Sequence, residues 1–107
     1  MNTQQLLDKT QKRTWRFFWQ ESHPDTGLTK DRANNFTSDN YTASSIASTG
    51  YALAANVVAV QRRWLEHRQA EQRTLKTLRF VLEEMEHFHG WLYHFVDWRT
   101  GKRIWNC

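Results

Sequence analysis

The feature that most constrains the fold is a stretch of twenty residues, 41–60, that carries no charge. Its length is close to the roughly 20 residues that span a bilayer, but nearly half of its side chains are Ser, Thr, Asn, Gly or Tyr. The stretch predicts a helix that begins at Ser44 or Ser45, both good N-cap residues, and ends at about Trp64. Small or apolar side chains would cover almost the whole circumference of this helix. The stretch therefore predicts a helix buried on most sides within a soluble protein, with no membrane insertion.

A helix of this kind needs neighbours, and the chain offers few. Its 107 residues allow one domain at most, and a chain this short buries only about two thirds of its unfolded surface. Six tryptophans and 39% hydrophobic residues exclude a disordered chain. Amphipathic patterns predict one helix from Asn2 to about Glu21 and another from about Glu66 to Glu86, with Leu75, Leu78, Val81, Leu82 and Met85 on one stripe. We expect an all-α fold with a buried inner helix and a solvent-facing outer one.

Two non-helical segments flank this pair. Pro24 should end the first helix, and a polar loop follows from Ser22 to about Thr42, a length that is usually functional or disordered in a compact domain. After Gly90, two aromatic-rich extended runs are joined by Arg99-Thr100-Gly101, which predicts a C-terminal β-hairpin. The predicted architecture is three main helices plus this hairpin.

Four ordered segments form a recognisable pattern. The first is an aromatic helix followed by His-Pro and a Gly-Leu turn, the second a Thr-Gly-aromatic helix start, the third an outer helix and the fourth a hairpin. They are Thr14–Arg32, Ser45–Tyr51, Arg73–Phe80, and Phe88–Phe95 with Thr100–Lys102. Together they resemble the N-terminal portion of the glucoamylase-like family of glycoside hydrolases, which includes β-1,2-glucan-active enzymes and a domain of cyclic glucan synthases. The similarity covers nearly the whole chain.

The resemblance implies a six-hairpin α/α toroid of several hundred residues that hydrolyses glucans with paired carboxylates. Residues 1–107 would form a partial domain, with the lead-in helix, the long loop, one inner and outer helix pair and the hairpin. The acids of the family that we associate with catalysis follow this region, so we expect this chain by itself to be inactive. The alternative is a non-enzymatic helical interaction module. In either case the unpartnered second helix predicts self-association.

Candidate sugar-binding residues come first from the long loop. Asp31 and Asp39 precede the inner helix, where a toroid builds its cleft, and Arg32 could donate a planar fork of hydrogen bonds to adjacent hydroxyls. A structural role is the alternative for each residue. Asp31 would pair with a neighbouring base, Asp39 would form a turn with Asn40, and Arg32 would brace the loop.

Aromatic residues of the predicted hairpin supply the second set. A sugar ring presents an apolar face beside its hydroxyls, so aromatic groups with polar tips suit it. We select Tyr93 and His94, with core packing as the alternative. Alternation along a strand places Tyr93 and Phe95 on one face and His94 on the other.

Other chemistries find little support. His87, His89 and His94 lack a cysteine partner or helical His spacing, so we expect no metal site, and nothing indicates a cofactor. The net charge of +4 is spread among acidic residues, which disfavours nucleic acid as a partner. The N-terminus lacks the apolar run of a secretory signal, which leaves the compartment unknown and cytoplasmic by default.

Overall fold

The computed structural model describes residues 1–106, and Cys107, the single cysteine, lies outside the described residues. Residues 1–106 form three helices, which agree with the predicted ones, and four short strands. Their bounds are α1 Thr3–Gln20, β1 Ala43–Ser45, α2 Ile46–Gln61, α3 His67–Glu83, β2 His87–Phe88, β3 Trp91–Leu92 and β4 Phe95–Asp97.

Helix α1 begins with a capping box. The Asn2 side chain accepts the Gln5 backbone N–H, and the Gln5 side chain accepts that of Asn2. Trp15 is the buried residue of α1, and its indole Nε1 donates to Asn56 Oδ1 of α2 at 3.2 Å. Its ring centroid lies 6.3 Å from that of Trp19 and 5.9 Å from that of Trp64. This tryptophan cluster joins α1 to the start of the α2–α3 connection.

Helix α2 begins at the predicted serine, because Ser45 Oγ accepts the Ser48 backbone N–H at 3.0 Å. One face packs on α1, where Trp15, Ala59, Leu65 and Ala70 form the first core. The rest of the helix is open, with side chains such as Tyr51 and Val57 exposed. The sequence predicted burial of α2 on most sides, but within this chain only one face of the helix is buried.

Helix α3 buries only part of its predicted apolar stripe. Val81 and Met85 pack in the second core, whereas Leu75, Leu78 and Leu82 are exposed, and the buried residues within the helix are Ala70 and Thr77. The small Thr77 allows the loop to approach closely, and its hydroxyl donates to the Gly27 carbonyl at 3.0 Å. Periodicity finds an apolar stripe but cannot tell which face a neighbouring loop occupies.

The strands correct the predicted C-terminal hairpin. Strand β4 pairs antiparallel with β1, with Ala43 opposite Asp97 and Ser45 opposite Phe95, while β2 and β3 form their own small hairpin. Only a bridge from Val96 to Arg103 retains the predicted pairing across the Thr100-Gly101 turn. The long-range partner β1 is the reason, since strand pairing over fifty residues leaves no local signal. Val96 lies with Leu28 and Met85 in the second core.

No helix between residues 1 and 106 is long and apolar enough to cross a membrane.

Candidate functional site

The long loop and the C-terminal strands meet at the N-terminal end of α2. The Asp31 N–H donates to the Ala43 carbonyl at 2.9 Å, at the start of β1. At the other end of β1 the Ile46 N–H, the first of α2, donates to the His94 carbonyl at 3.1 Å. Strand rise places these two points about 10 Å apart. The structure thus brings both sets of predicted residues to one end of α2, on either side of β1.

Buried hydroxyl groups hold the loop against the first turn of α2. Ser22 Oγ lies 2.6 Å from Thr29 Oγ1, and Thr49 Oγ1 accepts the Thr29 N–H at 3.1 Å. Ser48 Oγ donates to the Thr29 carbonyl at 2.8 Å. Because α2 supplies hydrogen-bond partners for the backbone N–H and carbonyl of Thr29, this residue is held in a fixed position, and so is the start of the segment that carries Asp31 and Arg32.

Lys30 organises the site, although it was not among the predicted site residues. Its side chain is 9% exposed, and its Nζ lies 3.3 Å from Glu21 Oε2 and 3.4 Å from Asp39 Oδ1. The same ammonium stands 4.6 Å from the centroid of the Trp98 ring. In the sequence Lys30 is one base among several polar loop residues, and its partners lie nine positions away at Glu21 and Asp39 and sixty-eight positions away at Trp98. No local pattern could have identified it.

Asp39 uses its carboxylate within the loop. It accepts the backbone N–H groups of Asn34 and Tyr41, and with Lys30 these hydrogen bonds hold the pKa of Asp39 below its ordinary value. The group is therefore ionised at neutral pH and braces the segment 34–41. This geometry resembles the predicted turn, although its partners are Asn34 and Tyr41 instead of Asn40. Sugar binding by Asp39 stays a prediction.

Arg32 presents its guanidinium outward. Its side chain is 74% exposed, with Nε 3.6 Å from Asp31 Oδ2 and Cζ 5.5 Å from the centroid of the Tyr41 ring. The pair with Asp31 was the structural alternative for that acid, and it occupies only one edge of the guanidinium fork. The buried hydroxyl of Tyr41 has no hydrogen-bond partner among the described residues.

Tyr93 and His94 differ in their surroundings. Tyr93 packs on the second core, with Arg103 Cζ 4.7 Å from its ring centroid. His94 is exposed and stacks on Phe95, with centroids 4.1 Å apart and ring planes 20° apart. Trp105, 44% exposed, meets Phe95 edge to face at 4.6 Å. We call His94, Phe95 and Trp105 the aromatic edge of the site.

The predicted alternation at Tyr93 and Phe95 is wrong. Residues 93–94 lie outside the strands, with a bend at His94, so Phe95 turns to the side of His94. Trp105 was not among the predicted site residues. Its contact with Phe95 depends on the turn at Thr100-Gly101. The sequence shows that both residues are aromatic and hydrophobic, but it gives no sign that they touch.

Within residues 1–106 no group of three or more His, Cys, Asp or Glu side chains could hold a metal ion. The exposed His87 instead accepts the Gly90 N–H at Nδ1, across the β2–β3 turn, at 3.3 Å.

Comparison with known proteins gives relatives for almost the whole chain. No protein-family model matches it. An exo β-1,2-glucooligosaccharide sophorohydrolase (non-reducing end) from Parabacteroides distasonis is 34% identical over 104 residues, which is 97% of this chain and 14% of the relative. The chain thus spans about one seventh of that protein.

Solved structures give relatives of the same kind. A glucoamylase-like protein from Bacteroides uniformis superposes with a TM-score of 0.86 at 30% identity, over 97% of this chain and 24% of that protein. A β-1,2-glucanase from P. distasonis gives 0.80 at 31% identity, over 97% and 14%. An endo-β-1,2-glucanase from Chitinophaga pinensis shares the fold, with a TM-score of 0.82 at 22% identity over 95% and 25%. The resemblance predicted from the sequence is confirmed.

Proposed function

We propose that this chain, whose homologues and structural neighbours are glucoamylase-like proteins and β-1,2-glucanases, is the N-terminal part of a glycoside hydrolase acting on β-1,2-linked glucans. In this proposal α1 is the lead-in helix of a six-hairpin α/α toroid. Helices α2 and α3 are its first inner and outer helices. The site at the N-terminal end of α2 then forms one wall of the substrate cleft.

One observation carries the proposal: the 34% identity to an enzyme acting on β-1,2-glucooligosaccharides extends over 97% of this chain. The superposition on the B. uniformis protein supports the toroid, because all three helices and their connections lie within the matched length. These relatives do not favour the alternative of a non-enzymatic interaction module.

The site suits a sugar in two ways. The outward guanidinium of Arg32 offers parallel N–H donors to adjacent hydroxyls, with Asp31 as an acceptor beside it. The aromatic edge offers apolar surface to a ring face, and the His94 imidazole adds a polar tip. Asp39 contributes chiefly by holding the loop in place through its bonds to Asn34 and Tyr41. Tyr93 supports the bend that presents His94.

Catalysis needs more than this wall provides. Glycoside hydrolysis uses one carboxyl group kept protonated by a raised pKa and a second that is ionised. The pKa of Asp39 is shifted in the opposite direction, and Asp31 is paired with Arg32. We therefore place the acid and its partner carboxylate in the part of the domain that this chain does not span. The chain binds substrate and does not cleave it alone.

A chimera tests this function. This chain would replace the matching segment of the P. distasonis sophorohydrolase, and hydrolysis of β-1,2-glucooligosaccharides would be measured. We expect a folded, active enzyme. Arg32→Ala in the chimera should raise KM about tenfold or more, because a hydrogen bond from a charged donor contributes about 1.5–3 kcal/mol.

The matched control is Arg68→Ala, which removes an exposed arginine on α3 outside the site and should leave KM unchanged. A chimera that folds like the parent but hydrolyses no β-1,2-glucooligosaccharide contradicts the proposed function. Equal KM values for the two arginine variants contradict the assigned role of Arg32.

A further inference from the structure

The segment 33–41 of the long loop is tied to the rest of the protein by one ion pair. Its other hydrogen bonds are internal, because the Asn34 and Asp39 side chains accept backbone N–H groups of the same segment. Among residues 1–106, the contact of Asp39 Oδ1 with Lys30 Nζ at 3.4 Å is the only hydrogen bond or ion pair that joins the segment to residues outside it. The internal bonds therefore shape the segment, and Lys30 fixes where it lies.

Lys30 is a rigid anchor, because other elements hold both its backbone and its side chain. Its N–H donates to the Glu21 carbonyl, directly after α1, at 2.9 Å, and it forms an antiparallel bridge with Ser44 of β1. Its buried ammonium also contacts Glu21 Oε2 at 3.3 Å and the ring of Trp98. A buried charge is costly without such partners, so the ammonium stays with them. The position of Lys30 thus does not depend on the segment that it holds.

The end of the segment contacts the arginine that we propose as a sugar donor. Asp39 Oδ1 accepts the Tyr41 N–H at 2.9 Å, and the Tyr41 ring centroid lies 5.5 Å from Arg32 Cζ, within the range of a cation–π contact. A long exposed side chain loses rotamer entropy when it binds a ligand, and a contact that already restricts it reduces this cost. A continuous series of contacts therefore leads from Lys30 to Arg32.

We propose that Lys30 is a positioning residue of the substrate-binding wall, which acts through Asp39 and Tyr41 to orient the Arg32 guanidinium toward sugar hydroxyls. The inference rests on the proposed function and goes beyond it, since it gives a role in binding to a buried residue whose ammonium is already occupied. A Lys30 that served only the stability of the fold would lower the melting temperature when lost, and would leave the contribution of Arg32 to binding unchanged.

Lys30→Met in the active chimera tests this role. Methionine keeps an unbranched apolar side chain against Trp98 and removes the charge. We expect KM for β-1,2-glucooligosaccharides to rise about fivefold, as for the loss of a coupled neighbour, with kcat unchanged because substrate binding alone is affected. In the presence of Arg32→Ala the same change should add nothing to KM, since the residue through which Lys30 acts is gone.

Two further variants make the result specific. Lys12 of α1 is exposed, and its Nζ stands 6.0 Å from the centroid of the Trp64 ring, so Lys12→Met removes another lysine near a tryptophan and should leave KM unchanged. Lys30→Met also leaves two carboxylates without their cation, which lowers stability. Asp39→Asn avoids this effect, because it breaks the link to the segment and keeps Lys30 paired with Glu21. It should raise KM to the same degree.

Hydrogen exchange of this chain, followed by mass spectrometry, tests the same link without hydrolysis. Segment 33–41 should exchange severalfold faster in Lys30→Met than in the parent, while α1, α2 and α3 exchange at parental rates. Unchanged exchange of the segment, an unchanged KM in Lys30→Met, or additive increases of KM in the double variant with Arg32→Ala would overturn the proposal. A folded chimera that hydrolyses nothing contradicts the proposed function, and the exchange rates then still decide whether Lys30 holds the segment.

Discussion

The Tyr41 hydroxyl is buried without a hydrogen-bond partner in the described part of the chain. A buried polar group in this state costs about 1–3 kcal/mol. Tyr41→Phe removes the hydroxyl and keeps the ring beneath Arg32, so we expect the free energy of unfolding to stay level or rise by about 1 kcal/mol. Chemical denaturation measures this change. Tyr51→Phe, at an exposed position, is the matched control and should have no effect. A clear loss of stability in Tyr41→Phe would indicate that the hydroxyl does have a partner.

Single residues also show how far the site could be predicted. Asp31, Arg32 and His94 were selected because loop position and residue chemistry are visible in the sequence, and the structure gathers them at one end of α2. Lys30 could not be selected, because its importance comes from Glu21, Asp39 and Trp98, which lie up to 68 positions away. Trp105 was not selected either, because its contact with Phe95 depends on a turn whose partner strand was unknown.

At the scale of elements, the contact between the loop and α3 depends on one glycine. Gly27 has φ +72°, and a Cβ there would overlap the Thr77 hydroxyl and lie 2.9 Å from the Thr77 Cα. Gly27→Ala should therefore destabilise the protein by about 2 kcal/mol or more, through both strain and displacement of α3. Gly90→Ala is the control, since φ is +86° but nothing lies within 4 Å of the added Cβ. Thermal unfolding should show the larger loss for Gly27→Ala, and equal losses would mean that backbone strain alone matters.

A helix or strand could be predicted from the sequence where the residues that determine it lie close together along the chain. Ser44 or Ser45 was predicted as the N-cap of α2, and Ser45 takes that position. Asn2 lies at the predicted start of α1, because capping chemistry lies within three residues of each helix end. The pairing of β1 with β4 was not, because two three-residue strands separated by fifty positions carry no periodicity. The burial of Thr77 on α3 was not predicted for a similar reason, since its contact is the distant Gly27 of the loop and not another helix.

For the molecule as a whole, the chain spans one seventh to one quarter of its relatives. The proposed cleft wall alone cannot place two carboxyl groups on opposite sides of a glycosidic bond. We therefore expect the isolated chain to release no reducing sugar from β-1,2-glucooligosaccharides, with the intact P. distasonis enzyme as the positive control. Steady turnover by the isolated chain, abolished by Asp31→Asn, would place the catalytic acids within these residues instead.

The cluster of Trp15, Trp19 and Trp64 gives the protein a spectroscopic marker of its own assembly. Trp15 and Trp19 are neighbours on α1, whereas Trp64 comes from the connection after α2, so the contact between Trp15 and Trp64 exists only while α1 is docked. Near-ultraviolet circular dichroism depends on such fixed aromatic packing, whereas the far-ultraviolet signal follows helix content. Recorded during one melt, the two spectra separate the undocking of α1 from the loss of its helical turns.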